Sequence, residues 1–580
     1  MDSEQPRGQD RKRPSQGGRG SKRQKTRKEK PATEGGHEEV LLADVRALFA
    51  VQKLSTPAIN SAESLPAAAD ANTTEIEIPA ENGESEGAVA GAEDQPLPAP
   101  FTEIEVKVLE LSSTGDGLAK QDGSNQIYVV PFTSPGDVVK IKVIRRFERE
   151  HYSICDFVSV VTPGPFRDDS RINCKYFSKC SGCQFQMMDY DAQLAHKRTI
   201  VEKAYKNFSQ LPPGLVPVIE NTIGSPLQYG YRTKLTPHFD GPPGHNTRAA
   251  KREGVRPQFK EVPNIGFMLK GQRKTLDIED CPIGTDAVNM GMKRERLNVA
   301  KNLEKYRKGV TILLRESTER VPKDDKKAVD LPEDTIKVEG TNYTDFKTCI
   351  TDNNAKSTEY IDDFVFTNTA GAFFQNNNSI LPVFTQYIRD QILPPANPNA
   401  PAIKYFIDAY SGSGLFTITL SSLFTKSVGI DIAESSIISA RENAALNKLP
   451  PSQCTFIAAD APQLFKSVEY PNDETVVILD PPRKGCDESF LNQLLKFAPR
   501  RVVYVSCNVH TQARDVGVLV RGISSVKTRY EIETLRGFDF FPQTGHVEGV
   551  AVLNRVHEVK DEELKEEKVE VKEATMENAA

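Results

Sequence analysis

RVVYVSCNVHTQARD, residues 501–515, is the stretch whose reading decides the fold. Val502, Val503, Tyr504 and Val505 make an apolar, β-rich run of strand length. The run stops at Ser506-Cys507-Asn508, so a thiol stands at the carboxyl end of a strand, where open α/β sheets gather their ligands. Such a thiol becomes a nucleophile once a base or a positive field makes it a thiolate. A lone cysteine is more often a buried, inert one, and the rest of the chain must decide.

Further segments upstream repeat the pattern. YFIDAYSGSGLFTITL (405–420) is an apolar strand, a Gly-rich turn and a helix, with Gly412 and Gly414 placed for close backbone approach to a ligand. SVGIDIAESSIISARENAALN puts Asp431 at a strand end about 20 residues later, the position of an acid that binds ribose hydroxyls. TVVILDPPRKG ends a strand at Asp480 and stiffens the following loop with Pro481-Pro482, and FIAAD adds Asp460. Each acid alone reads as a cap or loop carboxylate. Together they predict one site along a sheet's carboxyl edge, in a Rossmann-like domain that binds S-adenosylmethionine.

The other segments differ in composition. Net charge is −6 over 580 residues, yet residues 1–30 hold eleven Lys/Arg against four Asp/Glu. That tail reads as disordered, with Arg11-Lys12-Arg13 and Lys22-Arg23-Gln24-Lys25 as a nuclear import signal or an RNA-binding arm. Glu38 to Lys53 suits an amphipathic helix, and Ser55 to Pro100 a linker. No apolar run is long enough to span a membrane, and no apolar leader follows Met1. The expected compartment is nucleus, cytoplasm or both.

From Phe101, short alternating strands with turns at Gly115-Asp116-Gly117 and Pro135-Gly136 predict a small β-barrel, with Lys140, Lys142, Arg145 and Arg146 as a basic edge. INCKYFSKCSGCQF then spaces Cys174-x5-Cys180-x2-Cys183, and Cys281 is a fourth candidate. By spacing alone these thiols suit a tetrahedral zinc site. GYRTKLTPHF (230–239) and NIGFML (264–269) suggest strands of a central domain, and residues 241–260 and 316–337 suggest surface insertions.

DAYSGSGLF, VGID, LDPPRKG, YVSCN and FPQTGHVE occur in order, preceded by Phe373-Phe374-Gln375. Together they resemble the RNA uracil-C5 methyltransferases, specifically the fungal-type tRNA enzymes, and the barrel resembles a TRAM domain. The resemblance covers about residues 101–555. It implies that Gln375, Tyr410, Asp431 and Asp480 bind the methyl donor, that Cys507 is the nucleophile and that Glu548 is the general base. It also implies a [4Fe-4S] cluster on Cys174, Cys180, Cys183 and Cys281. Ser181 stands where the family has glycine, Val509 where it has proline, and Asp431 where glutamate is common. The expected substrate is the T-loop uridine of tRNA, and the expected assembly is a monomer.

The expected fold is α/β: a Rossmann-like methyltransferase domain (366–556), an oligonucleotide-binding-type TRAM barrel (101–163) and a small central α+β domain (164–365). Residues 1–100 and 557–580 are expected to be tails or linker. A C5-cytosine RNA methyltransferase is the competing enzyme reading, because Cys486 after DPPRKG is a second thiol near the site. Methylation of a uridine in rRNA and a non-catalytic RNA-binding role are further alternatives.

Overall fold

The computed structural model describes residues 33–55, 97–242, 258–324, 332–395, 398, 400–459, 465 and 468–556. The two basic clusters and Asp460 therefore lie outside the described residues, as does most of the linker.

Helix α1 (His37–Ser55) confirms the amphipathic reading of residues 38–53. The span 1–100 is nevertheless not all tail and linker. Leu41 and Val45 of α1 are buried against Leu118, Ile127, Val129 and Tyr152. Burial of this kind contributes about 1.5–3 kcal/mol per large aliphatic side chain. Those partners lie on three of the five strands β1 (Glu103–Leu111), β2 (Gly117–Lys120), β3 (Ile127–Val130), β4 (Val138–Phe147) and β5 (Tyr152–Thr162), which close as a barrel in the order β1-β2-β3-β5-β4. Alternation along β4 sends Val139, Ile141 and Val143 into the barrel and its basic residues outward. The basic edge is partly compensated. Lys140 pairs with Glu103 at 2.9 Å, and Arg145 lies over the Phe147 ring at 4.3 Å.

Two four-stranded antiparallel sheets and the helix Asp286–Lys301 form the central region. Residues 316–337 are not simply a surface insertion. Strand Leu314–Pro322 pairs from Arg315 to Pro322 with Tyr343–Ile350.

The catalytic region is built on an eight-stranded sheet. Its strands are β6 (Glu220–Ile223), β7 (Tyr405–Ala409), β8 (Lys426–Asp431), β9 (Cys454–Ala458), β10 (Thr475–Leu479), β11 (Arg501–Ser506), β12 (Tyr530–Phe538) and β13 (Glu548–Arg555), in the order β9-β8-β7-β10-β11-β13-β12-β6. Strands β9, β8, β7, β10 and β11 run parallel, and β13 returns antiparallel to β11. Strand β11 is apolar without alternation because both faces are covered: Val502 and Tyr504 enter one core, Val503 and Val505 the other.

Helix α2 (Tyr190–Phe208) and strand β6 precede the central sheets in sequence, yet they pack on the catalytic region. A boundary at residue 365 therefore assigns them to the wrong body.

Candidate active site

Each parallel strand delivers its last residues to one edge. After β7 the chain turns through Tyr410, whose backbone is left-handed at φ 66°, and Gly412, at φ 53°. A Cβ on Gly412 would meet nothing within 4 Å, so this side of the turn is open. Asp431, at the end of β8, accepts from Gly412 N at 3.0 Å and from Ala433 N at 2.8 Å. Beside it Ile432 is 71% exposed, an uncovered apolar surface next to a carboxylate. Asp408, one residue before the end of β7, is a site residue the sequence reading passed over. It accepts from Thr417 N and Oγ1 at 2.9 and 2.6 Å and so ties the strand to helix α3 (Leu415–Leu420). Burial pushes its carboxyl up to about 7.

Cys507 follows β11, and Glu548 opens the neighbouring β13. Residues 506 and 549 are paired across the two strands, which brings thiol and carboxyl to the same corner. Asp480, after β10, and Arg483, in the Pro-Pro loop, complete the group. Burial, Glu548 and Asp480 push the Cys507 thiol up to about 12, while Arg483 pulls it down and hydrogen-bonds to it. Burial and Asp480 hold the Glu548 carboxyl well above the usual range, again opposed by Arg483. Burial raises Asp480 to about 7. Arg483 is thus the positive charge that favours a thiolate here. Sequence reading missed it because the loop residue carries no pattern of its own.

Cys486 is different. It is almost wholly buried, its Sγ lies 3.6 Å from Tyr504 Oη, and its N–H donates to Asp515 at 2.7 Å. Burial and Asp515 raise its thiol far above the ordinary range, opposed by hydrogen bonds with Tyr504 and Tyr410. It sits in the core among Phe490, Leu494 and Tyr504 as a packing residue.

Phe373 is 76% exposed and Phe374 buried, so the Phe-Phe-Gln strip presents one ring outward and anchors the other. Asn377, just beyond Gln375, donates to Phe540 O at 3.2 Å and fixes the strip to the loop that precedes Glu548.

That loop, residues 539–546, is held from several sides. Lys197 of α2 pairs with Asp539 at 2.5 Å and donates to Phe541 O and His546 O at 3.0 and 2.8 Å. Gln193 Nε2 donates to Gln543 Oε1 at 3.2 Å, and Tyr231 Oη to Pro542 O at 3.1 Å. Gln184, next to Cys183, donates its N–H to Gln543 O at 2.7 Å and accepts from Gly545 N at 2.9 Å.

Cys174, Cys180, Cys183 and Cys281 line one cavity of about 340 Å³, which extends to Arg483, Phe541 and His546. Each thiol is raised by burial and lies within electrostatic range of others in the set. The expected ligand shell is not closed: among the described residues no group of three or more His, Cys, Asp or Glu is arranged to hold a metal ion. The zinc reading, which needs four thiolates drawn tightly onto one ion, finds no support. No described helix is long and apolar enough to cross a membrane.

Comparison with known proteins gives consistent findings. The family model "tRNA (Uracil-5-)-methyltransferase" matches residues 347–556, and the TRAM domain model matches residues 100–146. A tRNA (uracil(54)-C(5))-methyltransferase of Schizosaccharomyces pombe is 45% identical, over 79% of this chain and 79% of its own. The Saccharomyces cerevisiae protein of the same name is 41% identical, over 78% and 73%. The crystal structure of the Pyrococcus abyssi tRNA (uracil-54, C5)-methyltransferase in complex with S-adenosyl-L-homocysteine is 22% identical. It covers 78% of this chain and all of its own with a TM-score of 0.52, a likeness of fold.

Proposed function

The chain belongs to the tRNA (uracil-5-)-methyltransferase family, and from that premise we propose that it methylates C5 of uracil 54 in tRNA through a covalent adduct on Cys507. The observation that carries this reading is the meeting of Cys507, Glu548, Asp480 and Arg483 at the carboxyl edge of β10 and β11, beside the open turn at Gly412.

C5 of uracil is a poor carbon nucleophile. Attack of the Cys507 thiolate at C6 forms a C–S bond and moves the electron pair onto C5 and the O4 carbonyl. S-adenosylmethionine supplies an electrophilic methyl group on a cationic sulfur. C5 takes that methyl as the methyl–sulfur bond breaks and neutral S-adenosylhomocysteine leaves, and Glu548 then accepts the C5 proton. The C5=C6 bond re-forms and the thiolate leaves. Arg483 supports the thiolate electrostatically at both ends of this cycle. Asp431, Asp480 and Tyr410 lie at or beside the open turn, and with Gln375 they are the residues proposed to hold the donor. The target base must leave its stack to reach Cys507, and the TRAM barrel offers a surface for the surrounding RNA.

A four-iron cluster on Cys174, Cys180, Cys183 and Cys281 is kept as a proposal. Its support is the shared cavity and the half-buried, all-thiol donor set; a four-iron cube holds its thiolates farther apart than a single ion does. The reaction needs no electron transfer, so such a cluster would brace the segment through which Gln184 grips the loop before Glu548. We further propose that the enzyme acts as a monomer in the nucleus, cytoplasm or both. The cytosine alternative is disfavoured by Cys486, which is packed in the core beside Tyr504.

The test is methyl transfer from labelled S-adenosylmethionine to tRNA transcripts. Product 5-methyluridine at position 54, lost when that uridine is changed to cytidine, supports the proposal. Label in 5-methylcytidine or in rRNA alone overturns it.

A further inference from the structure

We propose that residues 33–55 are a clasp that positions the catalytic loop, with Gly35 and Asn508 as its contact. This rests on the methyl-transfer reading above. The segment lies outside both matched family regions, and its sequence predicts only an amphipathic helix ahead of a linker.

The clasp has two attachments. On the barrel side, Leu41 and Val45 enter the cluster around Tyr152, and the buried Asp44 carboxylate accepts from Ser113 N at 2.5 Å. Phe49 adds a ring contact to His151 at 5.7 Å. On the catalytic side, Asn508 Nδ2 donates to Gly35 O at 3.1 Å and to Arg483 O at 2.9 Å. Glu34 pairs with Arg514 at 2.9 Å, and Arg514 in turn donates to Lys484 O at 3.0 Å.

Asn508 is the residue after Cys507 and the N-cap of helix α4 (Val509–Arg521), with its Oδ1 accepting from His510 N at 3.2 Å. Its amide therefore joins three things: the helix that begins at the nucleophile, the Arg483 loop and the clasp. Gly35 is suited to this contact on two counts. Its backbone is left-handed at φ 63°, and a Cβ there would stand 2.4 Å from Thr511 Cγ2. Only glycine lets the carbonyl come this close to Asn508. Barrel and nucleophile are thus linked by a short path that neither domain contains by itself.

Asn508 and Gly35 are positioning residues, since neither touches the reacting atoms. The test uses the full-length chain. Gly35→Ala withdraws the carbonyl by strain and overlap. Asn508→Asp keeps the helix cap but cannot donate to either carbonyl. The readouts are kcat and KM for tRNA, the donor Kd, the melting temperature, and the iodoacetamide alkylation rate of the Cys507 peptide resolved by mass spectrometry. Both variants should lose roughly tenfold or more in kcat, because misplaced reacting groups are costly. The donor Kd should stay within about twofold, and the Cys507 alkylation rate should change in both.

Unchanged kcat and alkylation in both variants would overturn the clasp. So would donor affinity lost in step with kcat, which would mark general misfolding. If the wild type itself fails to methylate uracil, the reaction assignment fails, while the alkylation comparison still decides the clasp.

Discussion

Lys197 and Asp539 form an ion pair at 2.5 Å with both side chains wholly buried. The same ammonium donates to Phe541 O and His546 O, so one cation from α2 ties both ends of the loop that leads into Glu548. Glu548, the proposed general base, thus follows a loop held by a helix more than three hundred residues away in sequence.

Lys197→Met leaves the Asp539 carboxylate buried and unpaired. Removing one member of a buried pair costs about 3–5 kcal/mol. The urea midpoint should fall accordingly, and kcat should fall more than donor affinity. The double variant Lys197→Met with Asp539→Asn should recover part of the stability; no recovery would show that the pair is not the source of the loss.

The pH dependence of Cys507 follows from its surroundings. Burial and two carboxylates raise the thiol to about 12, so thiolate is scarce at neutral pH. The reactive fraction grows as pH rises toward that value, by about tenfold per unit. Peptide-resolved alkylation should therefore climb without a plateau between about pH 7 and pH 9. Arg483→Gln removes the opposing charge, raises the pKa further and should slow alkylation roughly three- to tenfold at fixed pH. A plateau near neutrality would contradict this environment.

The two thiols near the site should separate cleanly. Cys507→Ala should abolish methyl transfer, by more than about 10⁴-fold, while leaving donor binding intact. Cys486→Ala should cost about 1–2 kcal/mol of stability through lost packing and retain the chemistry. Radiolabel transfer and denaturant melts on both variants check this, and the opposite pattern would exchange their roles.

The strand-end acids and Cys507 were legible because a parallel strand covered on both faces is a short apolar run. Its end is marked by the first polar residues, as at Ser506 and Asp480. Lys197, Arg483 and Gln184 carry no such mark, because their roles depend on partners far along the chain. The helix at residues 38–53 was legible from its spacing, yet nothing in its pattern says that it docks on a barrel on one side and reaches a catalytic loop on the other. Strand β6 is only four residues long, too short for periodicity to register, so the sequence boundary between central and catalytic regions fell in the wrong place.

The four-cysteine site makes its own prediction. Protein purified without oxygen should be brown and carry about four irons per chain. Cys281→Ser should remove the iron, lower the melting temperature and reduce methylation by loosening the Gln184 contact to the loop. Colourless protein, or one zinc per chain, would refute the cluster.

The most direct test of the central claim is the fate of Glu548→Gln with tRNA and S-adenosylmethionine. Glutamine keeps the size of the side chain but cannot take the C5 proton as a carboxylate does. Attack and methylation can still occur, so turnover should fall by about 10²–10⁴-fold and the enzyme should stall as a methylated protein–RNA adduct. The account predicts a band that survives SDS, bears the transferred methyl, and disappears when Cys507→Ala is added. Normal turnover, or loss of donor binding with no adduct, would contradict it.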